Sequence, residues 1–332
     1  MQYFLLTVSI QTWIEHFTTG IAAINDPSHN ATNRQCIAQR QGAMWELIGI
    51  KPGDLLFFYI QGEKKIKALF EANSEPFYDK SNLTNLPNCI IDHRFALRME
   101  FQHKINFPNE IEMDEIWQLK DKGLFWSLQQ QRGDAVGRHA CISLTKKDGD
   151  FLLKMFYEKN PLIQPITPIH IQQHINQSLN FDLTHYGDRL HYEKAFQGLL
   201  INDLKNGRHK NILGDYDYFV PFFPTSSQKE IDIMLIKHNS NGDVIWYSIL
   251  ELKASTFTTN ELDKLMNYEG WAVNAIANGN VRMVHSIGIA NKFNQDVVDY
   301  ISTRLNYINK KVRLIKYSFN PINNSLSLQN AN

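Results

Sequence analysis

An aspartate stands inside an apolar run, Glu230-Ile-Asp-Ile-Met-Leu235, and a second apolar run ends in Glu251-Leu252-Lys253. Both runs have the alternation of strands. Side chains two apart on a strand share a face, so Glu251 and Lys253 point one way while Leu250 and Leu252 point the other. An ionised carboxylate in an apolar strand is costly unless it is paired or liganded. The fold must therefore bring Asp232, Glu251 and Lys253 to a place where their charges are answered. Two carboxylates and an ammonium on adjacent strands are also what metal-dependent cleavage of a phosphodiester requires.

The bulk composition narrows the partners. Lys plus Arg and Asp plus Glu number 34 each, so the net charge is zero. A wholly basic nucleic-acid binder is excluded, and any contact with DNA comes from local basic patches. The three cysteines, Cys36, Cys89 and Cys141, have no C-x-x-C spacing, which argues against a disulfide framework or a thiolate zinc site. His170 and His174 have helical spacing but lack the Glu of a metalloprotease motif, so no zinc is expected there. The start, Phe4-Leu5-Leu6, is too short for a signal peptide, and no apolar stretch approaches the ~20 residues of a membrane span. A cytoplasmic protein is the expectation. No Gly-x-x-x-x-Gly-Lys-Ser/Thr loop occurs, so no nucleoside triphosphate is expected.

The pattern changes along the chain. Residues 1–158 read as mostly strand with a few helices. Strands are expected over Tyr3 to Ile10, Leu55 to Ile60, Lys65 to Ala72, Phe95 to Phe101 and Ala140 to Leu144. Phe151 to Tyr157 closes the region, and a short helix fits Thr12 to Ala23. Short strands separated by turns suggest a small barrel. Pro161, Pro165 and Pro168 mark a linker over 159–184. Residues 185–332 read as α/β, with helices over Leu190 to Leu204, Thr258 to Ile276 and Gln295 to Ile308. Strands there fit Tyr216 to Phe223, Ile231 to Ile236, Val244 to Leu252, Val284 to Ile289 and Val312 to Phe319. Thr258 and Glu261 form a capping box for the middle helix. No internal repeat or low-complexity tract is present.

The region around 185–275 resembles the PD-(D/E)XK nuclease superfamily. The resemblance rests on Glu193 on the first helix, the 230–235 strand, Glu251-Leu-Lys253, and a following helix with Leu265, Tyr268 and Trp271. It implies a central mixed sheet flanked by helices. It also implies that Asp232, Glu251 and the Leu252 carbonyl hold Mg²⁺ (or Mn²⁺), with hard oxygen ligands and positions left for water. Lys253 would position or deprotonate the attacking water and stabilise the pentacovalent charge, and Glu193 would support the shell or hold a second metal. The family's Pro-Asp is absent, since Glu230-Ile231 precedes Asp232, and Lys264 stands where relatives often carry Gln. Asp215, in Gly214-Asp-Tyr-Asp217, is a second choice for the metal aspartate.

The N-terminal region resembles PUA-like barrels of the EVE and YTH type, which bind modified bases. The matching stretches are Tyr3-Phe-Leu-Leu-Thr-Val-Ser9, Gly53-Asp-Leu-Leu-Phe-Phe-Tyr59, Ile66-Lys-Ala-Leu-Phe-Glu71, Phe95-Ala-Leu-Arg-Met-Glu100 and Gln131-Arg-Gly-Asp134. A flipped base needs apolar walls and hydrogen-bonding groups for its edge. Trp45, Tyr59 and Trp126 are the wall candidates, Asp134 would read an edge and Arg132 would hold a flanking phosphate. Together the halves imply an endonuclease acting on modified double-stranded DNA, with methylation the expected mark, in a restriction role, and a homodimer is expected for cutting both strands. The competing expectations are a repair nuclease for mismatched or branched DNA, and a non-catalytic reader of modified DNA or RNA.

Overall fold

The computed structural model describes residues 1–27, 34–82, 90–128, 139–163, 166, 177–225, 229–308 and 310–331. The chain divides into two compact units, Met1–Phe181 and Asp182–Asn332.

In chain order, the first unit contains β1 (Tyr3–Ser9), α1 (Ile10–Thr19), β2 (Ile21–Ile24), α2 (Arg34–Leu47), β3 (Leu55–Gln61), β4 (Lys65–Ala72) and β5 (Phe77–Tyr78). It continues with β6 (Leu97–His103), β7 (Ile111–Glu112), α3 (Met113–Asp121), β8 (Cys141–Leu144), α4 (Lys146–Lys159) and β9 (Gln177–Ser178). The nine strands follow the order β8-β1-β3-β4-β6-β5-β9, with β2 also on β6 and β7 on β4. β1 runs parallel to β3, and the other pairs are antiparallel. This is a curled mixed sheet, a half-barrel.

Alternation along β3 sends Leu56, Phe58 and Ile60 into one core, where they meet Phe4, Leu6, Phe70, Leu97 and Phe101. Phe58 and Phe70 meet edge to face at 5.2 Å, as do Phe70 and Phe101 at 5.4 Å. On the other face Phe57 stacks on Tyr3 and on Phe156 of α4.

Two expectations are corrected in this unit, and one stretch with no expected element is assigned. The helix over Thr12 to Ala23 is instead α1, stopped by Gly20 in the left-handed region (φ 67°), and the chain then enters β2. The Phe151 to Tyr157 stretch is helical: Thr145 caps it by accepting from the Asp148 N–H at 3.1 Å, and Leu152 and Phe156 lie four apart on its buried face. Part of the 159–184 stretch is structural, since Gln177–Ser178 pairs with β5 and Leu179 and Phe181 pack on the core.

α4 approaches β1 through Gly149, where an added Cβ would lie 2.2 Å from ring atoms of Tyr3. Gly149→Ala is expected to destabilise this unit by roughly 1–3 kcal/mol through overpacking. Denaturant unfolding with an unchanged midpoint would contradict that packing.

The second unit contains β10 (His185–Tyr186), β11 (Arg189–Leu190), α5 (Glu193–Lys205), α6 (Lys210–Leu213), β12 (Tyr218–Pro224), β13 (Glu230–His238) and β14 (Val244–Phe257). α7 (Thr259–Ala275), β15 (Val284–Phe293), α8 (Gln295–Ile308), β16 (Val312–Asn320) and β17 (Ser325–Asn330) complete it. Its six-stranded sheet runs in sequence order from β12 to β17. β12, β13 and β14 form an antiparallel meander, while β14, β15 and β16 are parallel. Parallel neighbours need crossover connections, and α7 and α8 supply them. The unit is α/β with a mixed sheet, as expected. β17, a short Ser-Leu-Ser-Leu alternation, is an addition to the expected strands.

Among the described residues, no helix is long and apolar enough to cross a membrane.

Candidate functional site

The register between β13 and β14 sets Ile233 opposite Leu250. One residue further along the same register, Asp232 and Glu251 face each other. α5 begins at Glu193 and places Gln197 one turn later, and both reach this point. α7 starts immediately after β14 because Thr258 and Glu261 cap it reciprocally. That abrupt start holds Glu261 and Lys264 beside the end of β14.

The contacts fall into three sets whose charges act on one another. Asp232 Oδ2 accepts from the Leu252 N–H at 2.8 Å, and its Oδ1 accepts from Gln197 Nε2 at 3.2 Å. Lys253 Nζ lies 3.0 Å from Glu193 Oε2 and 3.9 Å from Glu261 Oε1. Lys264 Nζ lies 3.4 Å from Glu251 Oε1. Glu261 also accepts from the Thr258 N–H at 2.9 Å and hydroxyl at 2.6 Å. The four acidic and basic residues singled out in the sequence, Glu193, Asp232, Glu251 and Lys253, thus meet at one site.

The electrostatics of the carboxylate pair are strained in a definite direction. Burial raises the pKa of Glu251, and the neighbouring charge of Asp232 raises it further against the opposing pull of Lys264. Burial likewise raises Asp232; the Leu252 N–H opposes the rise and Glu193 adds to it. Two carboxylates this close resist being ionised together. Lys253 moves the other way. Burial works against its charge, but Glu193, Glu261 and Glu251 together outweigh it and raise its pKa. At neutral pH it is an ammonium, suited to positioning and charge stabilisation rather than to proton abstraction.

The donor set fits a hard divalent cation. Among the described residues, no three His, Cys, Asp or Glu side chains are grouped to hold a metal. Mg²⁺ asks for less, since it binds through one or two carboxylates and keeps several waters. The observation that favours a fit is Gln197, 1% exposed, whose Oε1 has no hydrogen-bond partner among the described residues. A buried acceptor left without a donor is costly, and water on a hydrated ion would supply one.

Asp215, the second choice for the metal aspartate, lies elsewhere. It is exposed and held by Lys210 at 3.2 Å and Lys237 at 2.5 Å.

The candidate base-pocket residues of the first unit are dispersed in their settings. Trp45 on α2 and Tyr59 on β3 are 2% and 5% exposed, so neither presents a ring face to solvent. Trp126 is half-buried, and its N–H donates to Asp148 at 3.1 Å, beside the start of α4. Arg132 and Asp134 lie outside the described residues, as do His170 and His174.

No family model matches the chain. No curated protein matches it either. Solved structures do. One is the human THYN1 protein in complex with DNA containing 5-methylcytosine, 17% identical, covering 47% of this chain and 98% of that one with a TM-score of 0.28. Another is the YTH domain of the Zygosaccharomyces rouxii MRB1 protein in complex with N6-methyladenosine RNA, 11% identical, covering 48% and 87% with a TM-score of 0.28. A hypothetical protein from Leishmania major is 15% identical, covering 48% and 96% with a TM-score of 0.33.

Gln197 escaped the sequence reading, and so did the contact that Lys264 makes with Glu251. Gln197 carries a readable signal, its i, i+4 spacing from Glu193 on a helix. The inward reach of Lys264 carries none, because it depends on how α7 lies against β14. Glu261 was legible as a cap but not as a neighbour of Lys253.

Proposed function

We propose that the chain is a two-part, metal-dependent endodeoxyribonuclease, in which the α/β unit hydrolyses phosphodiester bonds and the half-barrel selects modified DNA. The observation that carries the catalytic half is the convergence of Asp232, Glu251, Lys253 and Glu193 from two strands and a helix onto one half-buried site. Asp232 and Glu251, with the Leu252 carbonyl, would hold Mg²⁺ or Mn²⁺. Bound there, the ion would polarise a phosphoryl oxygen and lower the pKa of a water.

The chain's own residues account for the rest. Lys253, kept charged by Glu193, faces the place where negative charge grows on the phosphate, and its ammonium stabilises that charge. Glu193 and Glu261 hold Lys253 in place. Gln197 fixes the Asp232 carboxylate from the helix side while the Leu252 N–H fixes it from the strand side. Burial around the pair lowers the local dielectric and strengthens each of these interactions.

The reader assignment rests on the N-terminal sequence resemblance and on the half-barrel that carries it. A methyl mark contributes only about 1–3 kcal/mol in a fitted pocket, so selection also needs contacts to the base edge. Both strands of a duplex require two sites or two events, and a homodimer acting on modified double-stranded DNA is the arrangement proposed.

The test is incubation with Mg²⁺ and plasmids that are methylated, hydroxymethylated or unmodified. Preferential cleavage of a modified plasmid is expected. Equal cleavage of all three would remove the reader half of the proposal.

A further inference from the structure

The geometry points to Lys264 as a tethered cation standing in the place of a second divalent ion, so that each chain takes up one; this rests on the metal-dependent reading above. Lys253 is committed to Glu193 and Glu261, at 3.0 Å and 3.9 Å. Lys264 is the ammonium paired with Glu251, 3.4 Å from its Oε1, while both Lys194 and Lys264 act on the charge of Asp232. Glu251 is 4% exposed, so this contact takes up one of the few approaches to it. The backbone of Lys264 is fixed in the second turn of a doubly capped helix, while its four-carbon stem keeps the charge adjustable.

The two sides of the pair therefore differ. On the Asp232 side stands Gln197, buried, with its Nε2 on Asp232 and its Oε1 without a partner among the described residues. That side offers acceptors to a hydrated ion. On the Glu251 side a positive charge is already in place, and a second ion against Oε1 would meet it within a few ångströms. Like charges at that separation repel strongly in a partly buried setting. Two-metal sites hold their ions about 3.5–4 Å apart, where the second charge clamps the reacting oxygens. Here an ammonium supplies that charge.

The experiment is titration of the full chain with Mn²⁺ in the absence of DNA, following free Mn²⁺ by electron paramagnetic resonance. Wild type is expected to bind one ion. Lys264→Gln is expected to bind two, the first about tenfold more tightly, because a nearby positive charge is gone. Lys264→Arg keeps the charge and is expected to stay at one. Two ions in wild type, or a Lys264→Gln titration that superimposes on wild type, overturns the inference while leaving a metal site standing. Failure of both proteins to bind Mn²⁺ overturns it together with the metal-dependent reading. Lys264 is half exposed, so the Gln variant should fold, and a thermal melt checks this.

Discussion

Asp232→Asn is expected to lower Mg²⁺-dependent cleavage at least about 10³-fold while leaving the protein more stable at pH 8 than wild type. The loss follows from removing one of two anionic ligands at a site with few. The gain in stability follows from the carboxylate pair. The new amide is nearly isosteric, its oxygen can still accept from the Leu252 N–H, and its nitrogen can donate to Gln197 Oε1 if that amide turns over. What disappears is one of two neighbouring negative charges, that of half-buried Asp232 beside buried Glu251.

The sign with pH is definite. Both carboxyl pKa values are raised in the folded protein, by burial first and then by mutual repulsion on Glu251 and the charge of Glu193 on Asp232. Between the ordinary carboxylate range and those raised values, the folded state holds more protons than the unfolded one. Stability from this pair therefore falls as pH rises through that window. The variant escapes part of the fall. Metal-free melts at pH 5 and pH 8 should nearly coincide with wild type at the lower pH. At the higher pH the variant should gain on the order of 1–3 kcal/mol, or a few degrees in melting temperature. Melting curves that coincide at both pH values would contradict the strained pair. Because a metal needs deprotonated ligands, the Mg²⁺ concentration for half-maximal cleavage should rise as pH falls.

Lys253→Met carries the second large effect. Cleavage is expected to fall about 10²–10³-fold, the scale of removing one stabilising donor from a transition state. Mn²⁺ binding should persist, because Asp232 and Glu251 are untouched and a nearby positive charge is gone. The raised pKa of Lys253 adds a pH signature. A lysine acting as the base would make cleavage rise with its deprotonation, whereas an ammonium that stabilises charge gives no such rise between about pH 7 and 9 once Mg²⁺ is saturating at each pH. Cleavage retained in the Met variant would remove Lys253 from the mechanism.

The parts of the fold that were legible in the sequence are those with a strong period or a strong stop. β13 and β14 alternate, α7 has both halves of its capping box, and α8 matches its expected bounds of Gln295–Ile308. Misreadings arose where a local signal was weak against composition. Phe151 to Tyr157 has no element assigned from its sequence, since only Thr145 three residues before Asp148 announces the helix. Gly20 divides what otherwise reads as a single helix. β17 was missed because Ser325-Leu-Ser-Leu328 has alternation without β-branched residues.

The site follows the same division. Asp232, Glu251 and Lys253 were readable because strand alternation fixes faces, and Glu193 because of its place at the head of a helix. Gln197 and Lys264 owe their contacts to the docking of α5 and α7, which no spacing within the sequence specifies. The wall candidates Trp45 and Tyr59 show the limit from the other side. An aromatic ring on a β-rich chain fills a core as readily as it lines a pocket.

The central claim is that Asp232 and Glu251 make a metal-dependent site for cutting DNA, and one assay tests it most directly. Supercoiled plasmid carrying modified bases is incubated with wild type and with Asp232→Asn, each with Mg²⁺ and with EDTA. Nicked or linear product from wild type with Mg²⁺ alone is the expected result. Product in the presence of EDTA, equal product from the Asn variant, or no product from wild type on any modified plasmid would contradict the account.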